Sequence, residues 1–281
     1  MRESVIALTY AGGHPNWLSA ARRLASQGRQ LERVQDFTIY TKGKLDADFL
    51  KRNRGFIDSH TRGAGYWLWK PQILLQALSQ TKSAEFLYYQ DAGSEIYVTS
   101  KSQKKFETYL THAREFGVFV FDSGHPEQFW TKEDLLKQFV VSRFRESTQC
   151  LSGTIIFDRE FAFEICNLWL KKMEESNYHY LDDSKSLSSN VQGFIEHRHD
   201  QSILSLILKQ RNIPFFPDSS QITLDELKVN EEPIWNVRNR SRTSLITHPD
   251  WDRSPGLLDR ANNFLYSRTI SGQLNSNQEK I

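Results

Sequence analysis

Short apolar runs alternate with longer amphipathic segments along most of this chain, and glycine, proline or polar clusters separate them. Uninterrupted apolar runs are typical of strands buried in a parallel sheet, whereas apolar residues recurring every three or four positions are typical of helices packed on that sheet. The alternation therefore predicts an α/β domain with a mostly parallel central sheet flanked by helices, a Rossmann-like arrangement.

The pattern also sets approximate boundaries. We predict strands at 5–10, 37–40, 86–90, 117–121, 154–157 and 213–216, and helices at 15–26, 71–78, 159–172 and 199–210. The stretch 175–192 is rich in Ser, Asp and Asn and is expected to form a long loop. After Pro217 the periodicity fades. We therefore expect one catalytic domain over 1–240, followed by a C-terminal extension over 241–281 that ends in a mobile tail.

Composition narrows the classes of function. The 281 residues carry 36 basic and 34 acidic side chains, a formal charge of +2, which argues against a nucleic-acid partner held by the whole surface. The two cysteines have no metal or redox spacing, and we expect reduced thiols in a cytoplasmic protein. No apolar run has the length of a membrane span and the N-terminus lacks signal-peptide features, while peripheral membrane contact stays open.

Asp91 follows directly on Phe86-Leu87-Tyr88-Tyr89-Gln90, a run that is apolar or aromatic apart from Gln90. A carboxylate in that position would emerge at the carboxyl end of a buried strand, where open α/β sheets bind their ligands. The small residues that follow, Ala92 and Gly93, leave room for a diphosphate and a divalent cation. An ordinary Asp-Gly surface turn is the alternative.

A dense aromatic and basic segment precedes that strand: Arg62-Gly63-Ala64-Gly65-Tyr66-Trp67-Leu68-Trp69-Lys70-Pro71. Its glycines permit a turn with positive φ, and its proline can open the next helix. The two cations and three rings suit a loop that holds a nucleotide base and a phosphate. The alternative is an aromatic plug over the sheet with two solvated charges.

Two later segments carry further candidate side chains. Asp200, in Glu196-His197-Arg198-His199-Asp200-Gln201, is placed to cap a helix or to face a reacting sugar carbon. Ser152 and Gly153, in a polar turn before a strand, form either an ordinary connection or a lip against the donor or acceptor.

Other motifs are weaker. The turn Gly12-Gly13-His14 lacks both the dinucleotide-binding and the P-loop pattern, which removes the usual signatures of hydride transfer and triphosphate hydrolysis. Arg238, Arg240 and Arg242 lie within five residues, and a solvated basic turn is favoured over diphosphate capture.

Three of these motifs together resemble glycosyltransferases of the GT-A type, particularly a bacterial and viral group. That group combines Gly-x-Gly-Tyr-Trp-x-Trp-Lys-Pro, a strand ending Tyr-x-Asp-Ala-Gly, and a helix starting His-Asp-Gln. They occur here in the same order at 63–71, 89–93 and 199–201, and the resemblance spans roughly 5–240. It implies a GT-A-like fold and a hexosyltransferase-like enzyme of polysaccharide biosynthesis.

The resemblance also implies ligands. The donor would be a nucleotide-diphosphate sugar and the acceptor a hydroxyl of a glycan, polysaccharide or lipid-linked precursor. Asp91 would match the first carboxylate of the Asp-x-Asp motif that holds Mn²⁺ or Mg²⁺, with Asp200 near the donor sugar. The second carboxylate position is Gly93, so Glu95, or more distantly His248, would have to complete the metal site. The donor-binding set would be Arg62, Tyr66, Trp67, Trp69, Lys70, Gly93, Ser152, Gly153 and Gln201.

Two other functions stay open at this point. The missing second carboxylate fits a binding module of the same fold that holds a nucleotide sugar or glycan without turnover. A nucleic-acid role through the arginines at 198 and 238–242 has the least support, because no binding motif accompanies them. Donor base, sugar, acceptor, and the retaining or inverting outcome are not readable from the sequence.

Overall fold

The computed structural model describes residues 4–81, 83–139 and 144–246. The chain divides into two compact units, Met1–Arg242 and Thr243–Ile281, and only 243–246 of the second are described. Most of the predicted extension 241–281, including His248, therefore lies outside the described residues.

Five strands form the central sheet of the first unit. In chain order the strands in the described ranges are β1 (Val5–Tyr10), β2 (Val34–Tyr40), β3 (Phe86–Gln90), β4 (Glu95–Ile96), β5 (Val118–Pro126), β6 (Thr148–Asp158) and β7 (Ile234–Trp235). The sheet order is β2-β1-β3-β6-β5; β1 pairs in parallel with β2 and β3, whereas β6 is antiparallel to β3 and β5. Four of its strands thus run in one direction, which confirms the mostly parallel α/β prediction. A separate two-stranded sheet joins β4 and β7.

Helices cover both faces of this sheet. Over the same residues they are α1 (Asn16–Gly28), α2 (Ala47–Ser59), the short turn α3 (Gly63–Tyr66), α4 (Trp69–Gln80), α5 (Ser100–Phe116), α6 (Glu127–Trp130), α7 (Glu133–Leu136), α8 (Arg159–Glu174), α9 (Asp200–Gln210) and α10 (Leu224–Asn230). Short 3₁₀ turns occupy Lys42–Lys44 and Glu175–Tyr178.

The apolar core is split by the sheet because successive strand side chains point to opposite faces. Phe86 and Tyr88 pack with residues of α1 and α5, while Leu87 and Tyr89 pack with residues of α4, α8 and α9. Burial of apolar side chains on both faces explains why β3 reads as a continuous apolar run. Because β3 ends at Gln90, Asp91 lies at the carboxyl edge of the sheet, between the two helical layers.

Some predicted boundaries are wrong. The predicted strand 213–216 reduces to one bridge between Phe216 and Phe121. The weakly patterned region after Pro217 contains α10 and β7, and α2 and α5 were not predicted. Within the described residues, no helix combines the length and the apolar character that crossing a membrane requires.

Candidate active site

Asp91 lies where β3 ends. Its backbone N–H donates to the Gly153 carbonyl on β6 at 2.8 Å, and the Tyr89 hydroxyl donates to its Oδ1 at 2.6 Å. The side chain keeps 47% of its surface exposed. Desolvation by the surrounding protein, together with the charge of Asp200, raises the pKa of the Asp91 carboxyl, although Lys70, Tyr89 and Arg238 each favour the charged form. Asp91 is thus a carboxylate that is fixed on one oxygen and accessible from solvent.

Lys70, Asp91, Ser152 and Asp200 meet at this edge, and we call them the Lys70 cluster. The Lys70 ammonium donates to Asp200 Oδ2 at 2.6 Å, to the Ser152 carbonyl at 3.0 Å and to Ser152 Oγ at 3.3 Å. It lies 3.9 Å from Asp91 Oδ1 and is 1% exposed. Ser152 Oγ in turn donates to Asp200 Oδ2 at 2.9 Å. All three recognised motifs and the polar turn of β6 therefore supply this one cluster.

The turn before α4 has an unusual backbone. Every residue from Gly63 to Trp67 has a positive φ, between 50° and 93°, so α3 is a left-handed turn. Such a conformation costs roughly 1–2 kcal/mol for each residue that carries a Cβ. A Cβ on Gly65 would also be crowded, because it would lie 3.1 Å from the Ile57 Cα. The two glycines of the motif are thus explained by geometry.

Contacts from the loop 175–192 and from the segment that precedes α9 hold this turn. The Tyr66 hydroxyl donates to Asp183 at 2.9 Å, and Arg62 pairs with Asp183 and Glu196 at 3.2 and 3.0 Å. The ring of His199 lies 4.6 Å from that of Tyr66 and 5.7 Å from that of Trp67. Arg62 is therefore an exposed residue with two acidic partners.

His199 itself has a strained backbone, with φ 50° and ψ −118°. Residues other than glycine rarely adopt this conformation, and such strain concentrates at functional sites. Its Nδ1 shares a hydrogen bond of 2.8 Å with the Leu181 carbonyl. The strained turn Gly63–Trp67 and the strained His199 thus touch each other. Lys70 and Asp200 come shortly after them in the chain and are in contact.

Gln201 supports the cluster from behind. Its side-chain oxygen accepts from the Ser152 N–H at 3.4 Å, and its amide donates to Gln149 at 2.9 Å. It is buried, so its position fits orientation of β6 and α9 rather than a direct donor contact.

The predicted aromatic donor loop is mostly an interior plug. Trp69 is 4% exposed, stacks on Tyr10 with ring centroids 3.8 Å apart, and donates from Nε1 to the Gly63 carbonyl at 2.9 Å. Tyr66 is also buried, whereas Trp67 is half-buried. Of these three aromatic residues, Trp67 alone is partly exposed. Lys70, expected near the phosphates, is instead occupied by Ser152 and Asp200.

The residues around Asp91 do not fit a divalent cation bound by an Asp-x-Asp pair. Glu95 is buried, accepts hydrogen bonds from Gln27 and Asn239 at 3.0 and 2.7 Å, and lies 3.9 Å from Arg23. In 4–81, 83–139 and 144–246, no three or more His, Cys, Asp or Glu side chains are grouped to hold a metal. Mn²⁺ and Mg²⁺ need several oxygen ligands. In the described part of the chain Asp91 is the one accessible carboxylate at this edge, because Asp200 is buried and bound to Lys70 and Ser152.

Sequence reasoning missed several residues of this region. Asp183 lies in the polar loop and carries no local signal. Trp17, whose ring lies beside Gly93, and Arg23, which lies near Glu95, are on α1. Their spacing there is that of ordinary helix positions. Arg238 was noted only as part of a basic turn, yet its backbone lies beside Gly93.

Comparisons with known proteins find distant structural similarity. No family model matches the chain, and no curated protein matches it. Among the solved structures that are similar to the chain, three are each 11% identical to it. A glycosyltransferase involved in glycosylation of the major capsid of PBCV-1 aligns over 62% of this chain and 68% of its own, with a TM-score of 0.37. Mouse xyloside xylosyltransferase 1 aligns over 83% and 97%, with a TM-score of 0.43. The bifunctional glycosyltransferase WbbM aligns over 84% of this chain and 46% of its own, with a TM-score of 0.46.

Similarity at this level does not identify the reaction. The side chains of the site determine which chemistry it can support. The Lys70 cluster contains two carboxylates and one ammonium. When both carboxylates are ionised, it carries one net negative charge next to a solvent-accessible oxygen of Asp91. Such a site stabilises a positive charge that develops on a bound ligand.

Proposed function

We propose that this protein is a glycosyltransferase that moves a sugar from a nucleotide-diphosphate donor to a hydroxyl acceptor. The observation that supports the proposal is the convergence of Asp91, Asp200 and Lys70 at the carboxyl edge of β3. Ligands of open α/β sheets bind at this edge. The motifs at 63–71, 89–93 and 199–201, which suggested the family resemblance, lie together there.

Glycosyl transfer makes two electrostatic demands. The anomeric carbon gains positive charge as the bond to the diphosphate breaks, and the diphosphate leaves with added negative charge. The net negative charge of the Lys70 cluster would stabilise the positive charge that develops on the anomeric carbon. Asp91, with its exposed side chain, would accept hydrogen bonds from donor hydroxyls, and the buried Asp200 would add its negative charge from the start of α9.

In this proposal Lys70 is a positioning residue. Its ammonium already donates to Ser152 and Asp200, so its task is to fix the two carboxylates and balance their repulsion. Gly153 serves the same geometry, because a Cβ there would lie 3.0 Å from Asp91 Oδ2.

The test is replacement of Asp91 by Asn. Purified protein is incubated with UDP-, GDP- and CMP-sugars, and release of the nucleotide is followed with and without glycan acceptors. We expect turnover with one donor class in the wild type and its loss in Asp91→Asn at an unchanged melting temperature. Asp36→Asn, at an exposed position on β2, is the control. Full activity of Asp91→Asn would reject the assignment.

A binding module without turnover is the second candidate. It is favoured by the absence of a carboxylate at position 93 and by the full engagement of Lys70. Stabilisation of the wild type by a nucleotide sugar, with no nucleotide release over hours under any metal, would support it.

A further inference from the structure

Position 93 is closed by the chain itself. A Cβ built on Gly93 would lie 3.2 Å from the Cα of Arg238 and 3.2 Å from the ring of Trp17. The N–H of Asn239 donates to the Gly93 carbonyl at 2.7 Å, which fixes this close approach. The backbone around Arg238 thus occupies the space into which a second metal-binding carboxylate would extend.

The segment 236–240 is held in that place by buried polar groups. Asn236 accepts hydrogen bonds from Gln90 at 2.8 Å and from Ser94 at 2.7 Å. Arg23 donates to the Asn239 carbonyl at 3.1 Å, and the Asn239 side chain donates to Glu95 at 2.7 Å. Glu95, the expected substitute metal ligand, therefore anchors this segment.

The same segment carries positive charge to the Asp91 edge. Arg238 has a positive φ of 57° and an exposed side chain, and Arg240 lies over the ring of Trp17 at 4.9 Å. A residue other than glycine with this backbone is uncommon, and here the anchors on both sides impose it. The Arg238 backbone thus lies against the turn that follows Asp91, and its charge favours the ionised form of Asp91. The Arg240 guanidinium lies over Trp17, whose ring is beside the same turn.

We propose that Arg238 and Arg240 bind the diphosphate of the donor in place of a divalent cation. The inference rests on the proposed function and names the residues whose positive charge would neutralise the diphosphate at that site. Guanidinium groups match phosphate oxygens in a bidentate geometry and stay charged at any working pH. A fixed cation beside the diphosphate also stabilises its added charge as it leaves, without a metal to coordinate.

The experiment is calorimetric titration of the full chain with UDP and with GDP, and for comparison with CMP and CMP-sugars, in EDTA and separately in MnCl₂. The variants are Arg238→Ala, Arg238→Lys and the control Arg242→Ala, an exposed arginine of the same basic run. For whichever nucleotide binds, we expect wild-type Kd values within about threefold between the two conditions. Arg238→Ala should weaken binding in EDTA at least tenfold, Arg238→Lys by less, and Arg242→Ala by less than twofold.

The outcomes separate the two proposals. Binding that EDTA abolishes and MnCl₂ restores would overturn the metal-free inference and leave the glycosyltransferase proposal standing. Unchanged affinity of Arg238→Ala at an unchanged melting temperature would also overturn it. If neither nucleotide binds under either condition while CMP or CMP-sugars do, the inference fails for a diphosphate. If nothing in the panel binds, the proposed function fails as well.

Discussion

The ammonium of Lys70 and the carboxylate of Asp200 form a hydrogen-bonded ion pair of 2.6 Å across 130 residues of chain, and both side chains are almost fully removed from solvent. A buried pair of this kind adds little net stability, because desolvation offsets the attraction. Its effect is geometric: it joins the start of α4 to the start of α9 and sets the orientation of Asp200.

Replacing Lys70 with Met should be costly for this reason. The substitution leaves Asp200 buried without its cation, and loss of one partner of a buried pair typically costs about 3–5 kcal/mol. We expect the free energy of unfolding, measured by urea titration, to fall by about that amount, and donor turnover to be lost.

The control is Lys101→Met, since Lys101 is 79% exposed and pairs only at the surface. The double variant Lys70→Met with Asp200→Asn removes both charges and should recover part of the lost stability but no activity. A Lys70→Met protein as stable as the wild type would show that the pair does not form in solution.

Ser152 allows the contribution of a hydrogen bond to Asp200 to be measured separately from that of the Lys70 charge. Its Oγ donates to Asp200 at 2.9 Å inside the protein, and a bond to a charged group is worth about 1.5–3 kcal/mol. Ser152→Ala should lower the free energy of unfolding by less than Lys70→Met does, and should reduce kcat while leaving some turnover. Ser59→Ala, on the exposed end of α2, should change neither quantity. Equal losses for Ser152→Ala and Lys70→Met would mean that the charge of Lys70 is not the main contribution.

The sequence was sufficient for those parts of the fold that local pattern determines. The strand at 86–90 and the emergence of Asp91 followed from a run of apolar residues, because both faces of the sheet are covered. Helices at 159–172 and 199–210 followed from their periodicity. The helix α5 was missed because polar residues dominate it and its signal is a capping box at Thr99.

The site was less predictable because its contacts join distant parts of the chain. Nothing in the local pattern relates Lys70 to Asp200 or Gly93 to Arg238. The tryptophans of the 62–71 segment were expected at a ligand, yet Trp69 completes the core through Tyr10. Burial of an aromatic residue depends on what packs over it, and that is set by the tertiary fold.

Gly93 gives a test of the close approach to Arg238. In Gly93→Ala the added methyl lies 3.2 Å from backbone and from the Trp17 ring, and overpacking of this kind costs about 1–3 kcal/mol. Gly55→Ala is the matched control, since nothing lies within 4 Å of a Cβ there and the position is an exposed helix interior. That change should stabilise by about 0.5–1 kcal/mol. Melting temperatures that move in the same direction for both variants would contradict the packing described at position 93.

Burial of His197 and His199 makes the stability of the protein depend on pH. Desolvation lowers the pKa of both imidazoles below the ordinary value of 6.5, and the charges of Lys132 and Arg62 oppose protonation of His197 as well. In its neutral form His197 accepts from the Lys132 N–H at Nδ1 and pairs through Nε2 with the Tyr180 carbonyl, at 3.3 and 2.8 Å. Protonation would break the first of these bonds.

The sign follows from the depressed pKa values. The stability contributed by the neutral imidazoles is complete above pH 6.5 and is lost as the pH falls below it, because the unfolded chain then binds protons that the folded chain does not. Each imidazole contributes a slope of at most about 1.4 kcal/mol per pH unit. Urea unfolding at pH 7.5, 6.5 and 5.5 should show this fall, and it should be shallower in His197→Gln than in the wild type. His14→Gln, at an exposed position, should follow the wild-type curve, whereas a His197→Gln curve parallel to the wild type would show that His197 does not titrate as its burial requires.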